Sequence, residues 1–86
     1  MVWKGNEEMK KIEDLLKELH AENDYAASND FIADGLFDSF DLLRFLGLLE
    51  NEYGVKIASD DLLPTNFCNM EAIRKLLQKY GVKGEI

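Results

Sequence analysis

One cysteine, one proline and one histidine are all that these 86 residues hold. Cys68 alone closes no internal disulfide, which excludes a stapled secreted scaffold and makes a reducing compartment, the cytoplasm, the expected location. No basic neighbour lowers its thiol pKa, so a catalytic thiol is not expected. His20 has no second histidine, no cysteine and no serine at a catalytic-looking spacing. It reads as a helix-end residue rather than a proton-transfer group. No window approaches the roughly 18 uninterrupted apolar residues of a membrane span, and Met1 to Asn6 lacks the basic-then-apolar pattern of a secretory signal. Positive charge is scarce as well. The net charge is −7, and residues 21–41 carry six acids and no base. Phosphate contacts need a basic face, so nucleic acid is not an expected partner.

What is present is the composition of a folding chain, 47% apolar and 31% charged. A length of 86 residues gives a single domain, residues 1–86; a monomer is expected. It holds one core but no deep enclosed active site with a scaffold around it, which argues against an enzyme. No nucleophile–base pair or metal-ligand cluster is visible either.

The periodicity predicts an all-α fold. Ile12, Leu15, Leu16 and Leu19 fall on one stripe of a first helix over residues 7–20, with Asn6 as its cap and Glu7, Glu8, Lys17 and His20 placed to suit the dipole. Val2 and Trp3 lie outside the stripe and are expected to cover one end of the bundle. Residues 21–38 read as a long connection pinned to the core by Phe31, Ile32, Leu36 and Phe37. Its aspartates fail as a calcium loop. With Gly35 at position six and Asp30, Asp34 and Asp38 at one, five and nine, Ile32 occupies position three, and Asp41 stands where a bidentate glutamate belongs. Only weak divalent binding at the acidic cluster is expected.

A second helix follows over residues 39–53, with Leu42, Phe45, Leu46, Leu49 and Tyr53 on its core face and Gly54 as its stop. Phe40, Leu43 and Leu48 fall largely off that stripe, an apolar surplus that fits either a docking face or a fully enclosed helix. Val55 to Ile57 should run extended. Ser59 to Leu63 leaves room for about one helical turn before Pro64. A last helix runs from Met70 to Tyr80 behind Asn69, with Gly81 closing it.

The loop and second helix meet at Asp34-Gly35-Leu36-Phe37-Asp38-Ser39-Phe40-Asp41-Leu42-Leu43, where Ser39 is an N-cap candidate. Asp-Ser followed by a large apolar residue, and then a helical run ending in Glu50-Asn51-Glu52-Tyr53-Gly54-Val55-Lys56-Ile57, resembles the acyl carrier protein family. The resemblance covers roughly residues 8–80. It implies a four-helix bundle of acyl-carrier type, with three longer helices, one short helix and a long first loop. It also implies that Ser39 carries a covalent 4'-phosphopantetheine arm, which makes the chain a phosphoprotein and a thioester carrier. The implied partners are a phosphopantetheinyl transferase, an acyl- or aminoacyl-activating ligase, and an acyltransferase or synthase. Asp38, Phe40, Asp41, Leu43, Arg44, Gly47 and Glu50 are the residues it implies for partner recognition. The acids around Ser39 would steer a basic enzyme.

Within that family, Gly35-Leu36-Phe37-Asp38-Ser39 and the segment from Asn66-Phe67 to Met70-Glu71-Ala72-Ile73 look more like the D-alanyl and peptidyl carriers than the fatty-acid carriers. Fatty-acid carriers have leucine after the serine and an acidic second helix. Here Phe40 replaces the leucine, Arg44 adds a positive charge, and Gly47 offers no side chain. The cargo class, whether fatty-acyl, polyketide or aminoacyl, stays open on these residues. The alternative is a small helical protein-interaction module with no prosthetic group. Only a carrier takes a covalent adduct at Ser39.

Overall fold

The computed structural model describes residues 10–84 and 86. Its first helix, α1, spans Ile12–Leu19 and buries the expected Ile12, Leu15, Leu16 and Leu19. The helix is shorter than its periodicity predicts. Asn6, Glu7, Glu8 and the expected cover of Val2 and Trp3 lie outside the described residues, and Lys11 is extended (φ −82°, ψ 162°). Lys10 has other partners. Its carbonyl accepts from the Tyr53 hydroxyl, and its N–H donates to Glu52 Oε2 at 2.9 Å. A lysine side chain has nothing with which to accept an orphan amide, so the first turn is tied by Asp14, whose Oδ2 accepts from the Lys11 N–H at 3.1 Å.

The second helix, α2, spans Ser39–Tyr53. Phe45 and Leu49 are fully buried, whereas Leu42, Leu46 and Tyr53 are half-buried against the same core. Asp41 is buried with Phe45 and Leu49, so the helix is turned slightly from the expected stripe and the half-buried Leu48 also packs on the core. Gly54 stops the helix with a left-handed φ of 66°, its N–H donating to the Glu50 carbonyl at 3.0 Å. A residue with a Cβ would be strained there.

The expected short helix is not α-helical. Two 3-10 turns, Ser59–Asp61 and Pro64–Asn66, stand in its place. Pro64 holds Leu63 extended (φ −103°, ψ 139°), and the N–H groups of Asp61 and Leu62 close on the carbonyls three residues back, at Ala58 and Ser59, rather than four. Asp61 fastens this segment to the end of α3, Met70–Lys79. Its carboxylate takes Lys79 Nζ at 2.8 Å and the Tyr80 hydroxyl, and those donors hold it below its ordinary pKa. Asn69 caps α3 as expected, accepting from the Ala72 N–H at 2.7 Å, and Ile73, Leu76 and Leu77 face inward.

The protein is therefore all-helical, with three α-helices, three 3-10 turns and no strand among the described residues. One core joins them, and aromatic rings run through it. Tyr25, in the 3-10 turn Tyr25–Ala27, meets Phe31 edge-on at 5.1 Å. Phe31 lies 6.4 Å from Phe37, and Phe37 meets Phe45 edge-on at 5.8 Å. The long first connection is thus packed from within and reaches α2 through side chains.

Candidate functional site

Ser39 is delivered by a connection whose polar groups are spent on its own shape. Asp30 Oδ1 accepts from the N–H groups of Ile32 and Ala33, both at 3.1 Å, and starts a single turn. Gly35, at φ 75°, ends it and lets the Leu36 N–H return to the Phe31 carbonyl at 2.8 Å. Phe31 and Phe37 are thereby sent inward from the two sides of the turn, while Ile32 stays 42% exposed rather than pinned. Three further bonds hold the connection in place. The Phe31 N–H donates to the Cys68 carbonyl at 2.6 Å, Asn69 Nδ2 to the Asn29 carbonyl at 3.0 Å, and the Tyr25 hydroxyl to the Leu36 carbonyl at 3.3 Å. Burial raises the Tyr25 phenol pKa. Tyr25 carried no periodic signal in the sequence, and only the fold identifies it as an anchor.

At the start of α2 the cap is Asp38, not Ser39. The Asp38 backbone is extended (φ −119°, ψ −172°), and its Oδ1 accepts from the Asp41 N–H at 2.9 Å. Asp41 Oδ2 accepts in return from the Asp38 N–H at 3.2 Å, closing a reciprocal capping box. Ser39 is the first helical residue. It is exposed, and its hydroxyl makes no hydrogen bond to a described residue. Asp38-Ser39-Phe40-Asp41 could have been read as this box, since Asp caps as well as Ser and the second acid stands three residues on.

The expected recognition residues divide. Phe40 is 77% exposed and Leu43 64%, and Asp38, Arg44 and Gly47 are exposed beside them. Arg44 makes no ion pair with a described residue, and a Cβ on Gly47 would meet nothing within 4 Å. Asp41 does not belong to this surface. It is 6% exposed, and its Oδ1 accepts from His20 Nε2–H at 2.9 Å, a contact that neither residue's local sequence discloses. Glu50 is half-buried, and its Oε2 accepts from the Ile57 N–H at 3.1 Å, so it braces the chain after Gly54.

Beside Ser39 opens a cleft of about 360 Å³, lined by Ile32, Phe37, Ser39, Leu42, Pro64 and Phe67. A larger groove of about 500 Å³ runs along α3 past Asp61, Asn66, Lys75 and Lys79. It shares no lining residue with the cleft at Ser39, so it is not taken as the site. Cys68 lines this groove, its thiol against the Thr65 carbonyl. Among the described residues no group of His, Cys, Asp and Glu side chains could hold a metal ion, and no helix is long and apolar enough to cross a membrane.

A serine hydroxyl linked to a phosphodiester fits this position. Asp38 spends its carboxylate on the Asp41 N–H, while the Ser39 and Phe40 amides belong to the first helical turn, where N–H groups have no intrahelical partner. Those amides and the dipole favour a negative group there. No protein-family model matches the chain, and neither a search of curated proteins nor one of solved structures finds a significant relative.

Proposed function

We propose that the protein is a carrier of the acyl carrier type, with a 4'-phosphopantetheine arm on Ser39. The observation that carries the reading is the state of the Ser39 hydroxyl, which stands exposed at the first position of the longest helix while Asp38 does the capping. A serine needed for the fold would be a poor attachment point. A serine relieved of that duty can be modified without loss of structure.

The arm's thiol supplies the chemistry, holding acyl or aminoacyl groups as thioesters for partner enzymes. The chain's own residues supply attachment, charge and recognition. No described side chain hydrogen-bonds the Ser39 hydroxyl to act as a base, so attachment falls to a separate phosphopantetheinyl transferase working from coenzyme A. The apolar cleft offers a place for the part of the arm or cargo nearest the serine. Three α-helices, a long packed first connection and a short turn segment before α3 are compatible with a carrier-type bundle in which the short helix has become 3-10 turns.

Phe40, Leu43, Arg44 and Gly47 form the exposed strip that follows Ser39 along α2. A positive charge and a missing side chain on that strip disfavour enzymes that present basic residues to an acidic helix. The reading is therefore of a carrier serving a dedicated ligase or transferase in the cytoplasm. The exposure of Phe40 and Leu43 also favours a second reading, a helical interaction module that binds a partner without any prosthetic group. Incubation with coenzyme A and a broad-specificity transferase separates the two by intact mass. A carrier gains one phosphopantetheinyl group, and an interaction module gains nothing.

A further inference from the structure

Asp41 is the one buried charged side chain among the described residues, and neither core packing nor partner recognition explains it. We infer that His20 is a positioning residue for the Ser39 turn, acting through Asp41, and so governs how readily the serine is presented to its modifying enzyme. The presentation half of this inference rests on the carrier reading; the positioning half does not.

The contacts form an unbroken chain from the end of α1 to the residue before Ser39. His20 Nε2–H donates to Asp41 Oδ1 at 2.9 Å, Asp41 Oδ2 accepts from the Asp38 N–H at 3.2 Å, and Asp38 Oδ1 accepts from the Asp41 N–H at 2.9 Å. His20 is itself held firmly. It ends α1, its N–H donates to the Leu16 carbonyl at 3.3 Å, and Leu16 and Leu19 before it are buried. On its outer side His20 Nδ1 faces the exposed Glu22 carboxylate at 3.9 Å. The donor to Asp41 is therefore fixed by α1, while the groups it orients belong to α2.

Without that donor a nearly buried carboxylate keeps a single partner, the Asp38 N–H. A buried charge that loses a partner is unfavourable, and turning Asp41 outward restores its hydration. Turning it also withdraws Oδ2 from the Asp38 N–H and opens the capping box. The first turn of α2 then frays, and with it the backbone of Ser39. An enzyme that accepts only the ordered turn meets a smaller competent fraction, which raises KM by the inverse of that fraction and leaves kcat in place.

The test uses the full chain with His20→Ala, His20→Gln, and Ile73→Val as a control that loosens the core away from these contacts. Amide hydrogen exchange is read at Asp38, Asp41 and the amides of α3, and transfer kinetics are read with coenzyme A and a phosphopantetheinyl transferase. His20→Ala is expected to speed exchange at Asp38 and Asp41 at least tenfold more than in α3, toward the rate of an unstructured turn, and to raise KM at nearly constant kcat by the factor by which the ordered fraction falls. His20→Gln, which keeps an N–H donor at similar reach, should restore most of both. Exchange that rises uniformly, as in Ile73→Val, or a His20→Ala variant with unchanged exchange at Asp38 and Asp41, overturns the inference. A selective exchange change with wild-type KM overturns its presentation half. A wild type that accepts no group refutes the carrier reading, and exchange alone then decides the positioning role.

Discussion

Replacing Asp38 and Ser39 in turn by alanine should have unequal consequences. Asp38→Ala removes the carboxylate that accepts from the Asp41 N–H at 2.9 Å and leaves that part-buried amide without its cap. Loss of such a cap costs about 0.5–2 kcal/mol, and loss of a negative charge at the helix start costs roughly 0.3–1 kcal/mol more. A total of about 2 kcal/mol lowers the melting temperature of a domain this size by roughly 8–16 °C. Ser39→Ala removes a hydroxyl with no described partner and places the best helix former at the first helical position, so the expected change lies within about 0.5 kcal/mol of zero. Urea melts followed by circular dichroism at 222 nm give both values on one scale. If Ser39→Ala destabilises as much as Asp38→Ala, then the serine is the cap, its hydroxyl is engaged, and the argument for a free attachment point fails.

Phe45→Ala should cost about 3–5 kcal/mol, because the ring is fully buried and ends the aromatic row at Phe37. Leu46→Ala, at a half-buried position, should cost clearly less, and denaturant melts giving the reverse order would show that the core face of α2 is misassigned. Burial pushes the Tyr53 phenol up to about 12. The folded state thus favours its neutral form, so that contribution is complete below the ordinary tyrosine value near 10 and is lost as pH rises toward 12. Stability should fall over that interval less steeply in Tyr53→Phe than in wild type; equal slopes in thermal melts at pH 9 and 11 would remove Tyr53 as the cause. The modified protein should be a poor substrate for general fatty-acid synthesis enzymes, and Arg44→Glu/Gly47→Met should improve it, since a side chain at Gly47 meets open space. Malonyl loading of wild type at the rate of a housekeeping carrier would refute that specialisation.

Features that depend on near neighbours were readable in the sequence. The stripe of α1, the glycine that ends α2 and the asparagine that caps α3 each act within one or two helical turns. The start of α1 was not readable, because the Lys10 carbonyl is held by a tyrosine 43 residues away. Nor was the burial of Asp41, which looked like a recognition acid until His20 arrived from another helix. The bond between Glu50 and Ile57 was unreadable for the same reason, since it exists only once Gly54 has turned the chain. The cap was a different matter. Serine and aspartate compete for that role by the same chemistry, and the choice between adjacent residues was settled by the second acid of the box. Ser39 itself was legible as a candidate, and the spacing of Asp38 and Asp41 carried the signal that would have freed it from capping.

The attachment site decides the function. Three serines, Ser28, Ser39 and Ser59, are present, and the Ser28 hydroxyl already donates to Asp34. Wild type incubated with coenzyme A and a broad-specificity phosphopantetheinyl transferase, then digested and sequenced by tandem mass spectrometry, should show one phosphopantetheinyl group on Ser39 and none on the other two. Ser39→Ala, folded by circular dichroism, should show none at all. An unmodified wild type, or an adduct that persists on Ser39→Ala, would contradict the assignment of this chain as a carrier.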